Sequence, residues 1–300
     1  MVSNSGGTLS RQYVRLCNRG DFEDPELRAM LRDVMPRPSL EAELHRKCWE
    51  FAMLGLYLEE VGALKADAEA LGVAAGHEPP LFWLTNRIGR MVATDIYGQG
   101  SFAGREAPAS MLDDPSAFAP YPYRADRLEV RHMDALALEY PDASFDIVFC
   151  LSSIEHFAGP QAASRAALEM GRVLRPGGSL VITTECFVGR HPLNSPKAHF
   201  AIRLATLGRR CAEATPTRRV IEAYTRREIE RLIVAPLAGV GVEMVQPLDL
   251  SFSDESRENL IRWSGAGELR PATGSPYPHI LLQAHGSPWT SIFLAFRKRP

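Results

Sequence analysis

Asp95 and Asp134 are the residues of this chain whose placement points most directly to chemistry. Each follows a short run of strand-forming residues, Asp95 after Arg90–Thr94 (RMVAT) and Asp134 after Leu128–Met133 (LEVRHM). A carboxylate has two acceptor oxygens. Placed after the second strand of a parallel sheet it can take both hydroxyls of a ribose, and an acceptor after the third can meet an exocyclic amine. An aspartate that merely caps a loop is the competing reading for each, and the spacing of the strands weighs against it. A further group follows Phe145–Leu151, in Ser152-Ser153-Ile154-Glu155-His156-Phe157. His156 is the best general-base candidate in the chain, because an imidazole with a pKa near ~6.5 takes a proton as alkoxide character develops. A histidine that only fixes its loop remains the alternative. Glu155 beside it would orient His156, help line the site or join a metal; Ser152 is a poor third ligand, so no metal is expected.

These residues need a sheet to hold them. Phe145–Leu151 is almost continuously apolar after Asp146, as suits a central strand covered on both faces. Ser179–Thr184 is a second strand, rich in β-branched residues. Between them Ala163, Ala166, Ala167, Met170, Val173 and Leu174 recur at helical spacing, and Pro176-Gly177-Gly178 turns the chain. Strand, helix and strand in that order make a right-handed crossover, and ligands of such sheets bind beyond the carboxyl ends of the strands. A first strand is expected from Ala66 to Leu71, then the loop Gly72–Pro79 and a helix over Leu81–Ile88. Residues 97–127 are long for a connection and read as a functional loop. Thr225 with Glu228 fits a capping box and Tyr224 with Ile229 a hydrophobic staple, opening another helix. Gly241–Gln246 and Thr290–Arg297 are the last clear strands; residues 251–289 look irregular, with a short strand at Ile280–Gln283.

Ahead of the sheet, residues 1 to about 20 look loose. Pro36 and Pro38 mark a break, Ser39 is a fitting N-cap, and Leu40, Leu44, Cys48, Phe51, Leu54 and Leu58 trace one helical face. That gives an N-terminal helical extension over 1–62 and a main domain over 63–300, interrupted by insertions at about 186–223 and 251–289. The first insertion, helical around 198–212, would lie over the strand ends. His191, His199, Tyr224, His279 and His285 would reach a substrate from these segments, although each is more readily structural or exposed.

Across roughly 63–185 the chain resembles the class I S-adenosylmethionine (SAM) dependent methyltransferases. The resemblance is carried by LGVAAGHEP, VATDIYG, HMDALALEYPDASFDIVFCLSSIEHF and VLRPGGSLVITTE. It implies an α/β fold with a doubly wound, Rossmann-like, seven-stranded sheet. It also implies that Gly72, Ala74 and Gly76 line the methionyl side of SAM, that Asp95 binds ribose with Ile96 beside the adenine, and that Asp134 and Ala135 form the adenine edge. Ser152 would lie beside the cofactor, where the fourth strand faces the transferable methyl. The first motif departs from the family pattern. The usual acid is replaced by Ala70 and the middle glycine by Ala74; Glu69 lies on the opposite strand face, and Glu78 would supply the missing carboxylate from the loop.

Composition narrows the partners. A formal net charge of −2 argues against nucleic acid, and the basic cluster Arg209, Arg210, Arg218 and Arg219 reads best as solvated surface. No apolar run approaches ~18 residues, so no membrane span is expected, and the N-terminus lacks a secretory h-region. Cys17, Cys48, Cys150, Cys186 and Cys211 are odd in number and form no C-x-x-C pair, which points to a reducing cytoplasmic setting without disulfides or zinc knuckles. The expectation is SAM-dependent methyl transfer to a small-molecule or saccharide acceptor, at oxygen, by in-line displacement with His156 as base. A SAM-binding but inactive partner subunit is the first alternative, and a dinucleotide or nucleotide-sugar enzyme the second, although G-x-G-x-x-G is absent.

Overall fold

The computed structural model describes residues 8–36, 44–191, 201, 204, 222–263, 269–271, 274, 276–284 and 286–300. Their strands are β1 (Arg15–Leu16), β2 (Glu69–Val73), β3 (Arg90–Asp95), β4 (Leu128–His132), β5 (Phe145–Leu151), β6 (Leu174–Phe187), β7 (Val242–Met244), β8 (Leu260–Trp263), β9 (Leu269–Pro271), β10 (Leu281–Ala284) and β11 (Ser287–Lys298). The apolar run in β5 is explained by its place: Phe145 and Ile147 to Leu151 are all inaccessible to solvent, with β2 on one side and β6 on the other. Ala70 pairs with Ile147 and with Met91, so β2 lies between β5 and β3, and β4 follows at the edge. These five strands are parallel, in the order β4-β3-β2-β5-β6. The direction of winding reverses between β2 and β5, which opens a crevice beyond their carboxyl ends.

Strand β11 closes the parallel set antiparallel to β6, from Trp289 opposite Phe187 to Arg297 opposite Ser179. Its other edge is divided among three partners: β10 near Pro288, β1 at Ile292 and Phe293, and β7 at Phe296 to Lys298. The doubly wound α/β sheet expected from the sequence is therefore present. The count of seven is reached by β4, β3, β2, β5, β6, β11 and β7, and the described sheet is larger, with eleven strands in all. The four extra strands are β1, β8, β9 and β10. Residues 8–17 are not loose, because Tyr13, Val14, Leu16 and Cys17 are buried and β1 occupies a gap along β11. The stretch 251–289 is not irregular throughout, since β8 pairs parallel with β10 and antiparallel with β9.

The helices cover this sheet. α1 (Pro25–Val34) is capped by Asp24, whose side chain accepts from the Glu26 amide, and carries proline in its first turn. α2 (Arg46–Glu60) lays Trp49, Leu54 and Tyr57 against the β11 side of the core, where Tyr57 and Phe293 meet edge to face. α3 (Pro79–Thr85) starts two residues earlier than expected because Pro79 and Pro80 suit a helix start. A single turn, α4 (Ser110–Asp113), lies in the long 97–127 connection. α5 (Pro160–Val173) is the crossover helix, burying Ala163, Ala166, Ala167 and Met170. α6 (Arg226–Ile229) opens on the capping box of Thr225 and Glu228 and continues through a π turn into α7 (Ala235–Gly239). Ser39, Leu40, the 198–212 helix, His199, His285, Cys211 and the four clustered arginines fall largely or wholly outside the described residues. Among the described residues no helix is long and apolar enough to cross a membrane.

Candidate functional site

A cavity of about 720 Å³ opens in front of β2, β3 and β5. The loop after β2 is folded around Asp95. One Asp95 oxygen accepts from the Gly76 amide at 2.9 Å and the other from the Ile96 amide at 2.7 Å. Each oxygen keeps a lone pair free for a diol. Burial raises the Asp95 carboxyl above its ordinary range, and the two amides oppose that. Gly76 takes φ +48°, and a Cβ there would stand 2.2 Å from the Glu106 carbonyl oxygen, so the 97–127 connection presses directly on the loop. Tyr97 strengthens the same contact by donating to the Gly76 carbonyl at 2.7 Å. Ala74, where the resemblance implies glycine, holds φ +50°, a conformation costing an alanine about 1–2 kcal/mol.

Ala74, Gly76 and Glu78 line the cavity together with Asp95 and Ile96; Asp134, Ala135, Ser152 and His156 line it too. The Asp134 side chain accepts from the Leu136 amide at 2.9 Å, which turns its loop toward the same space. Two of the expected residues do not line it. Gly72 is packed beneath, where a Cβ would meet Ala75 and Phe149 side chains at 3.0 Å, so its part is close packing. Glu155 points into the protein. One of its oxygens accepts from Thr184 at 2.8 Å, the other is buried without a partner, and burial, with Glu185 nearby, raises its carboxyl.

His156 is held from the cap side. Its Nδ1 lies 2.5 Å from Glu222 Oε2, and its ring packs 4.8 Å from that of Phe102. Burial opposes the imidazolium, but the carboxylates of Glu222, Glu155 and Glu185 outweigh it and raise His156 above its ordinary value of 6.5. Glu222 escaped the sequence because it stands 66 residues away, with no local pattern to mark it. Of the cap candidates, His191 stacks on Phe187, Tyr224 donates to the Ile154 carbonyl at 3.2 Å, and His279 is buried with its amide on Leu44. None of these three lines the cavity.

Beneath the cavity floor lies a charged cluster from α2 that the sequence also concealed. Glu50 is wholly buried; it accepts from Ser152 Oγ at 2.7 Å, from Thr183 Oγ1 at 2.8 Å and from Ser291. Arg46 bridges Glu50 to Glu185. Lys47 reaches the cavity itself, with Nζ 2.5 Å from Glu78 Oε1 and 2.8 Å from the Leu151 carbonyl. The signal available was Arg46-Lys47-x-x-Glu50, three charges ahead of the apolar run Phe51–Leu58 in α2. Among the described residues no group of three or more His, Cys, Asp or Glu is arranged to hold a metal.

Residues 71–182 match the family model of a methyltransferase domain. The 27-O-demethylrifamycin SV methyltransferase of Amycolatopsis mediterranei is 46% identical over 57 residues, 19% of this chain and 20% of that protein. Methyltransferase GfsG of Streptomyces halstedii is 28% identical over 194 residues, 60% of this chain and 61% of that protein. The chain thus spans less than two thirds of either relative. Among solved structures, the YcgJ protein of Bacillus subtilis is similar over 82% of this chain and 98% of its own, at 16% identity and a TM-score of 0.46.

Proposed function

We propose that this protein, whose residues 71–182 match a methyltransferase domain, is a class I SAM-dependent methyltransferase that methylates a hydroxyl of a small-molecule or saccharide acceptor. The cofactor of that domain is S-adenosylmethionine. The observation that carries the proposal is one cavity faced by Asp95, Asp134, Glu78 and His156. Its residues fit the cofactor: Asp95 keeps an acceptor position on each oxygen, and Glu78 Oε2 is buried with no partner, as an ammonium group would require. Asp95 would hold the ribose, Asp134 and Ala135 the adenine edge beside Ile96, and Glu78 the amino group, with Ser152 at the methyl end. Bound there, the cofactor supplies an electrophilic methyl on a sulfonium, already a good leaving group. The chain then has to align the acceptor, exclude water and remove one proton. Glu222 on Nδ1 leaves Nε2 of His156 as the base for the acceptor hydroxyl. The rifamycin-directed relative supports oxygen as the atom methylated.

Calorimetric titration with SAM and S-adenosylhomocysteine tests the cofactor. Wild type is expected to bind both saturably, and Asp95→Ala, which loses a charged acceptor of two hydroxyls, to bind about 100-fold more weakly. A wild-type protein that binds neither at millimolar concentration would sink the proposal. The base has its own test. His156 acts when neutral, and its raised pKa delays that form, so turnover should rise with pH through a midpoint above 6.5. Glu222→Gln removes the carboxylate that favours the cation and should move the midpoint down. An unmoved pH profile would remove Glu222 and His156 from this role.

A further inference from the structure

The amino-acid end of the cofactor carries one positive and one negative charge, and β2 carries Ala70 where the resemblance implies an acid. A pair of opposite charges faces the cavity instead. Lys47 comes from α2 of the N-terminal extension and Glu78 from the loop before α3. Their contact at 2.5 Å uses one oxygen of Glu78 and leaves Oε2 buried and unpartnered. Lys47 donates to Glu78 and to the Leu151 carbonyl; Glu50, at 3.6 Å, is an ion-pair partner beyond hydrogen-bond length. One ammonium hydrogen therefore remains for a further acceptor. Burial opposes the charge on Lys47, but Glu78 and Glu50 outweigh it and keep the lysine protonated. Burial also pushes Glu78 up to about 7, so an ammonium at its free oxygen would favour the ionised form.

We infer that Lys47 and Glu78 together form the clamp for the methionyl zwitterion, Lys47 receiving the α-carboxylate and Glu78 the α-ammonium. This rests on the cofactor reading above and extends it: the N-terminal extension furnishes part of the cofactor site. A buried Lys–Glu pair is costly when either partner is left alone, and a bound zwitterion gives each charge a second counter-charge. The clamp selects for a complete amino-acid end, which an acid alone would not do.

The test compares S-adenosylhomocysteine with its decarboxylated analogue, 5′-deoxy-5′-(3-aminopropylthio)adenosine, by calorimetry on the full chain. Lys47→Met should weaken the homocysteine ligand at least about 10-fold more than the decarboxylated ligand, whose smaller loss reflects only the greater protonation of Glu78 once Lys47 is gone. The doubly neutral Lys47→Met/Glu78→Gln protein, which carries no unpaired buried charge at this pair, should weaken both ligands. Thermal unfolding without ligand establishes that each variant is folded. Equal affinity of wild type and Lys47→Met for S-adenosylhomocysteine would overturn the clamp, as would equal losses for the two ligands, which would make Lys47 structural. Absence of binding by wild type would fall on the cofactor reading itself.

Discussion

Glu50→Ala is expected to lower folding stability by about 3–5 kcal/mol, the usual cost of removing one partner from a buried charge cluster. Glu50 joins parts of the protein that are far apart in sequence: Ser152 beyond β5, Thr183 in β6 and Ser291 in β11 all donate to its carboxylate. Without it those hydroxyls lose an acceptor, and Arg46 and Lys47 lose a shared counter-charge. Burial pushes the Glu50 carboxyl up, yet Lys47 and Arg46 outweigh it and hold it below its ordinary value of 4.5. Its contribution should therefore persist above pH 4.5 and fade only as pH falls through the lower folded value. Urea unfolding at neutral and acidic pH measures both effects. A variant as stable as wild type at pH 7 would show that the cluster contributes nothing net.

A second large effect is expected at Gly76, where Gly76→Ala should cut kcat/KM by about 100-fold, in line with the cost of a 1 Å displacement at a reacting site. The methyl would stand 2.2 Å from the Glu106 carbonyl oxygen, and φ +48° disfavours any side chain. Backbone is the obstacle, so the loop must move, and with it the amide that Asp95 accepts. Steady-state kinetics with cofactor titration reads the loss, which should include weaker cofactor binding. Unimpaired binding and turnover would show that the 97–127 connection yields freely.

The parallel half of the sheet was legible because burial on both faces imposes an apolar run, as in β5, whose limits the sequence predicts at Phe145 and Leu151. Asp95 was legible for the same reason, at the end of the buried β3, whereas Asp134 follows the partly exposed edge strand β4 and was legible only from where that strand ends. Strands β1, β8 and β9 carry no comparable mark. Two residues of β1 become a strand only because a stretch of β11 edge lies open beside them. Lys47 and Glu222 were hidden because a charge on a helix or loop reads as solvent-facing until its counter-charge is placed, and Glu78 and His156 lie 31 and 66 residues away. Glu155 does not line the cavity: in the turn Ile154–His156 its neighbour His156 faces the cavity and it accepts from Thr184.

The division of β11's outer edge has a consequence for self-association. Arg15 and Leu16 shield the backbone of Phe293 and Ile292 between the stretches taken by β10 and β7. Were the segment around residue 15 to peel away, the freed donors and acceptors would lie in a notch flanked by strands, beside an apolar core that includes Tyr13 and Phe293. Such a notch is a template for a strand from another molecule. The short β1, tethered through Tyr13 to Glu60 and Asn18 to Ser251, fills that notch from within the chain, so loosening it would expose an edge to strand pairing between copies.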